Sequence, residues 1–248
     1  MKPQSPNRRQ ISIISAIVAG IVAVVIVAIV LTTPITNSNN ESITDDGMIY
    51  SIESEPYGLA YSDWAIEWWR WYLSIPKENA PALDTTGENC AQDQNNPNVW
   101  FLAGTFGGSA ERNCTVPSDK ALFFPLINVA CSYAYFPSLK TEEELRQCAI
   151  DENEVVYERR LSVDGVEIRD LDKYLVITPA FNVTLPQNNL WDVPPNTETT
   201  AVTAGYYILL KPLSRGDHTI QYGGAAGNPA ISGEENFATL VTLHTRVE

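Results

Sequence analysis

The chain has 248 residues, with 16 Lys plus Arg against 30 Asp plus Glu, for a formal net charge of −14. That balance excludes a nucleic-acid binder, which needs clustered Lys and Arg for its phosphate contacts. Two His and four Cys are too few for a multi-metal protein, and a hydrophobic fraction of 44% is too high for a disordered chain.

The first predicted element is the run ISIISAIVAGIVAVVIVAIVL at residues 11–31, which has no charge and no proline. As a helix it would rise roughly 31 Å, close to the hydrocarbon thickness of a bilayer. It is longer than the apolar stretch of a cleaved signal peptide (about 7–15 residues), and no A-x-A-like cleavage site follows. The expectation is an uncleaved transmembrane signal anchor seated in the lipid bilayer. Residues 1–10 carry Lys2, Arg8 and Arg9 and no acid, so the positive-inside rule makes them a cytoplasmic tail. The other 13 basic residues and all 30 acidic ones follow the span, a net −17 on the outer side. The expected location is therefore the cell membrane, single-pass, with the C-terminal domain outside. Ala16 and Gly20, like Ala19 and Ala23, are spaced i, i+4. That spacing permits close helix approach, as in an accessory subunit of a membrane complex. Residues 32–48 are polar and read as a flexible tether. Residues 49–248 are enough for one well-buried domain.

Within that domain the first helix is predicted over residues 63–74, in SDWAIEWWRWYLSIP. Ser62 can cap it, Asp63 favours the first turn and Pro76 stops it. At 100° per residue the apolar side chains, among them Trp64, Trp68, Trp69 and Trp71, cover roughly 220° of the circumference. Asp63, Glu67 and Arg70 form the narrow polar stripe, with Glu67 and Arg70 spaced to pair. The second helix, TEEELRQCAIDE, opens with a capping box of Thr141 and Glu144.

Most of the remainder reads as short strands bounded by turn residues: 99–105, 121–129, 161–166 with the hairpin signal Asp164-Gly165, 174–179, 206–211, 218–222 and 237–247. Residues 212–217 form a turn cluster between two of them. The expected fold is mainly β, a β-sandwich or jelly-roll-like ectodomain with two helices, plus the N-terminal transmembrane helix.

Cys90, Cys114, Cys131 and Cys148 all fall on the outer side, where an even count favours disulfides. Four cysteines allow three pairings. Short loops close easily, which favours Cys90–Cys114 with Cys131–Cys148. No C-x-x-C pair occurs and neither His lies near a Cys, so no metal site and no cofactor is expected. Asn40, Asn113 and Asn182 each begin an N-x-[ST] pattern and are candidate glycosylation sites.

Several stretches taken together resemble a group of exported bacterial and archaeal proteins that has no assigned activity. They are WAIEWWRWYLSIP, TGENCAQDQ with VWFLAGTFGG, ERNCTVPSDKALFFPLIN, and GYYILLKPLSRGDHTIQYGG. The resemblance spans most of residues 60–245, implies one domain and transfers no catalytic residue. The last stretch is also similar to the closing hairpin of immunoglobulin-like sandwiches.

Candidate chemistry is sparse. Trp64, Glu67, Trp68 and Trp71 combine rings with a carboxylate, the pairing that sugar sites use. The same indoles on an amphipathic helix are also ordinary core residues. Arg112 could take a carboxylate ligand bidentately, or pair with Glu88, Asp93 or Glu111. His218 and His244 lie in consecutive strands, but two ligands do not make a metal site. The Gly-rich loop 104–109 matches neither a phosphate-binding nor a nucleophile-elbow pattern. The reading is a non-enzymatic binding or structural module at the cell surface, with a glycan or surface protein as partner. An envelope glycan hydrolase using paired carboxylates is the catalytic alternative.

Overall fold

A computed structural model describes residues 47–227 and 236–248. The proposed anchor at 11–31, the cytoplasmic tail, and the tether through residue 46 with Asn40 lie outside the described residues. Among the described residues no helix is long and apolar enough to cross a membrane.

The first helix, α1 (Tyr61–Ser74), begins two residues earlier than its sequence signal. Asp63 rather than Ser62 closes its first turn, accepting the Ala60 N–H at 3.3 Å. The chain becomes extended at Ile75, just before Pro76. Strand β1 (Val99–Phe101) is short, and β2 (Gly108–Val116) follows a six-residue loop. After β3 (Ala121–Ser132) comes α2 (Glu142–Glu154). Its capping box forms as the sequence predicts, with Thr141 Oγ1 accepting the Glu144 N–H and Glu144 Oε2 accepting the Thr141 N–H. Strands β4 (Val156–Val163) and β5 (Val166–Glu167) are joined by Asp164 and Gly165, with φ of 52° and 80°. Two positive φ values make this the tight hairpin turn that an Asp-Gly pair favours. Strands β6 (Leu175–Ile177), β7 (Phe181–Thr184), β8 (Glu198–Leu210), β9 (Gly216–Ala226) and β10 (Phe237–Val247) complete the domain.

The ten strands make two mixed five-stranded sheets. Sheet A runs β1-β3-β8, with both β6 and β7 on the far edge of β8; sheet B runs β2-β10-β9-β4-β5. The fold is thus mainly β with two helices, and it lies within the compact unit Glu41–Glu248. Two pairings are parallel, β1 with β3 and β10 with β2. The turn after β8 carries the chain from sheet A to sheet B. The stretch likened to a closing immunoglobulin hairpin is therefore a crossover between sheets, and β9 pairs instead with β10.

Sheet A is covered on both faces, which explains why β3 and β8 are nearly continuous apolar runs. On one face α1 packs its rings against Phe123 and Tyr207, which stack at 5.6 Å. On the other face sheet B covers the first half of β3, with Phe124 against Tyr222 at 4.6 Å. The sheets come so close here that a Cβ on Gly224 would lie 2.9 Å from the Ile127 Cβ. Beyond that point α2 takes over, burying Leu145 and Ala149 against Cys131, Val202 and Ala204. Two disulfides hold these layers: Cys90–Cys114 ties the loop before β1 to β2, and Cys131–Cys148 ties β3 to α2.

Candidate binding pocket

Trp64, Trp68 and Trp71 are 2%, 1% and 7% exposed. Their indole N–H groups donate to the carbonyls of Pro56, Leu102 and Gln92. They are core residues that anchor loops; Trp68 also reaches the wall of a pocket at the edge of β3, which Trp64 and Trp71 do not line. Glu67 is exposed and paired with Arg70 at 2.8 Å, as the i, i+3 spacing predicts. Arg70 borders two solvent-open troughs near Asn182, and Glu67 borders one of them. The Asn182 side chain accepts from the Thr200 hydroxyl, and Asn113 sits exposed on β2.

Arg112 departs from both sequence-based readings. It is 4% exposed, and its guanidinium donates to the backbone carbonyls of Asp84, Ala103 and Gly104. Glu111, one of its expected partners, instead bonds His244. Buried carbonyls and a buried guanidinium satisfy one another, so Arg112 fixes the chain leaving β1. Tyr222 Oη donates to the same Ala103 carbonyl.

That chain forms one wall of a pocket of about 500 Å³ at the edge of sheet A. The pocket exists because β1 pairs with β3 only as far as Phe123, while β3 runs on to Ser132. Pro125, which has no N–H to donate, sits just past that limit, where the register shifts between Pro125 and Ile127. Residues 125–130 of β3 line the pocket along with Trp68, Trp69 and Tyr72 of α1, so Trp68 is the member of the sequence-predicted set that the structure brings to it.

The walls hold a continuous arc of rings. Tyr135 lies 6.1 Å from Trp191, Trp191 6.2 Å from Trp69, Trp69 5.4 Å from Tyr72 and Tyr72 6.2 Å from Phe106. The Trp69 N–H is spent on Thr203 Oγ1 and Tyr207 Oη, both at 2.8 Å, which fixes the indole plane. Burial pushes the Tyr207 phenol up to about 12, although bonds from Thr203, Asn128 and Trp69 act against it. Burial likewise raises Tyr72, with the nearby Arg112 charge opposing. Both phenols are neutral at ordinary pH. Phe106 and Tyr135 are about half exposed at the mouth, at 52% and 54%. The end of α2 contributes Glu152, Asn153 and Val155. Asn153 Oδ1 is buried without a hydrogen-bond partner. Glu152 is the single Asp or Glu among the described residues lining the pocket.

Elsewhere, Asp164 Oδ2, His218 and Ser214 Oγ stand in a row, at 2.7 and 3.3 Å. The order mimics a nucleophile–base–acid relay, but His218 Nε2 also lies 2.9 Å from the Ser214 carbonyl. A carbonyl only accepts, so Nε2 carries a proton and cannot take one from the hydroxyl. The β9–β10 register sets His218 opposite Thr245 and His244 opposite Thr219. The two imidazoles therefore project from opposite faces of the sheet. Among the described residues no group of three or more His, Cys, Asp and Glu converges on a metal-binding point.

No protein-family model and no curated protein matches the chain. One solved structure, the cysteine protease inhibitor EhICP2 from Entamoeba histolytica, is similar at 13% identity and a TM-score of 0.22. The match covers 60% of this chain and 94% of that one. A likeness at that level carries no argument about fold or activity.

Proposed function

We propose that the protein is a non-enzymatic binding module, a β-sandwich-like domain held outside the cell by a single-pass anchor and a polar tether. The observation that carries the proposal is the aromatic pocket at the open edge of β3, with its arc of five rings in four successive contacts and its unsatisfied Asn153 oxygen. Concave, ring-lined cavities with a few polar groups are the usual form of a small-ligand site. The occupant is a small molecule, or a group presented by a glycan or a surface protein. A glycan hydrolase needs two carboxyl groups about 5–10 Å apart across the sugar, whereas Glu152 lines this pocket alone among the described carboxylates.

The test is a titration of the full-length protein in lipid nanodiscs against a panel of sugars and amines, read by tryptophan fluorescence. We expect saturable quenching by at least one panel member, weakened about tenfold or more by Trp191→Leu, since buried ring contacts dominate such sites. A response that Trp191→Leu leaves unchanged, or none across the panel, counts against the proposal.

A further inference from the structure

We infer that the pocket selects an organic cation, an ammonium group carried on an apolar body. The inference rests on the reading of this pocket as the binding site, and four observations give it its sign.

The arc from Tyr135 through Trp191, Trp69 and Tyr72 to Phe106 turns successive ring planes against one another, at 43–78°. Ring faces carry the negative part of the aromatic quadrupole, and several faces around one space form a cage for a cation. Secondly, the charge in the lining is negative. Glu152 is there, and no Lys, Arg or His is among the described lining residues.

Thirdly, the C-terminal end of α2 reaches the pocket. A helix C-terminus carries partial negative charge and is normally balanced by Lys, Arg or His in its last turn. Here the last turn contains Asp151, Glu152 and Glu154 and no base. Glu152 and Glu154 have no ion-pair partner among the described residues. Local rules are broken in this way at functional sites, and a bound positive charge would supply the balance that the last turn lacks. Finally, the fully buried polar atom of the lining that is left over is an acceptor. Asn153 Oδ1 has no partner, while Asn128 Nδ2 is spent on Tyr207 and the Thr105 and Thr239 hydroxyls bond each other. A ligand that donates fits this set.

The experiment titrates the full-length protein in nanodiscs with three probes: choline, its neutral carbon isostere 3,3-dimethylbutan-1-ol, and N-acetylglucosamine. Tryptophan fluorescence reports binding. Choline is expected to bind about tenfold more tightly than the alcohol. Glu152→Gln, an exposed change that leaves the core alone, is expected to weaken choline about three- to tenfold and to leave the alcohol unaffected. Trp191→Leu is expected to weaken choline more, with thermal melting confirming that the variant folds. Equal affinity for choline and the alcohol overturns the inference. So does binding of N-acetylglucosamine with no response to choline, an outcome that leaves the binding-module reading standing. Silence to all three probes and to the wider panel overturns both.

Discussion

His218 joins two turns that are distant in sequence. Its Nδ1 lies 2.7 Å from Asp164 Oδ2 in the β4–β5 turn, and its Nε2 lies 2.9 Å from the Ser214 carbonyl before β9. Both nitrogens face acceptors, so the imidazolium fits better than either neutral tautomer. Burial works against that charge, but the bonds to Asp164 and Ser214 outweigh it and raise the His218 pKa above its ordinary value. Burial also works against the Asp164 charge, and bonds from His218 and the Thr219 N–H outweigh it and lower the pKa. The raised histidine stabilises fully below its unfolded value and loses that contribution as pH rises through the folded value. The lowered aspartate stabilises above its unfolded value and loses its contribution as pH falls through the folded one. The pair therefore contributes most between about 4 and 6.5, the ordinary aspartate and histidine values. Asp164 is 48% exposed, so solvent screens the pair and the effect is small. We expect the melting temperature to fall more steeply between pH 6 and 8.5 in the wild type than in Asp164→Asn. Parallel pH profiles would contradict the assignment.

Helix α2 depends on its attachment to sheet A. Its mean character is polar, and of its residues only Leu145, Ala149 and Asn153 are buried. So small an apolar face gives limited docking energy, and the Cys131–Cys148 bridge supplements it. Closing a loop of 17 residues in the unfolded chain is worth about 3 kcal/mol. The double variant Cys131→Ala/Cys148→Ala is expected to lose about that much in denaturant unfolding. A loss under about 1 kcal/mol would mean that packing alone holds α2. Both helices and both disulfides are legible in the sequence, because caps, periodicity and short cysteine spacings are local signals. Strand β10 is legible for the same reason: its inward Val241, Leu243, Thr245 and Val247 alternate with outward residues. Strand β2 is not. Its inward positions are Ala110, Arg112, Cys114 and Val116, and a buried arginine breaks the apolar alternation that marks a strand. Strand β1 stops short of its apolar run because Arg112 and Tyr222 claim the Ala103 carbonyl, a constraint that only the folded chain contains.

The pocket belongs to the whole domain. Its rings come from α1, from the loops carrying Phe106, Tyr135 and Trp191, and from β10 through Phe237. The α1 window supplies three of these rings, Trp68, Trp69 and Tyr72, so the sequence points to one wall of the pocket; the others come from distant segments that only the fold assembles. The acidic last turn of α2 was the readable sign, since it violates the usual charge preference of a helix end. The domain's display outside the membrane is a separate expectation. Alkaline phosphatase fused after Glu248 is expected to be active, and a fluorescent protein in the same place dark where export leaves it unfolded; the reverse pattern would place the domain inside. The claim that joins residue, element and molecule is that ligand enters the aromatic arc. Fluorine NMR of the full-length chain, with all six tryptophans carrying a 5-fluoro label, tests it during a choline titration. The Trp69 and Trp191 resonances are expected to shift together and saturate while Trp64 and Trp100 stay still. Six unmoved resonances, or movement confined to Trp64 and Trp100, would contradict that claim.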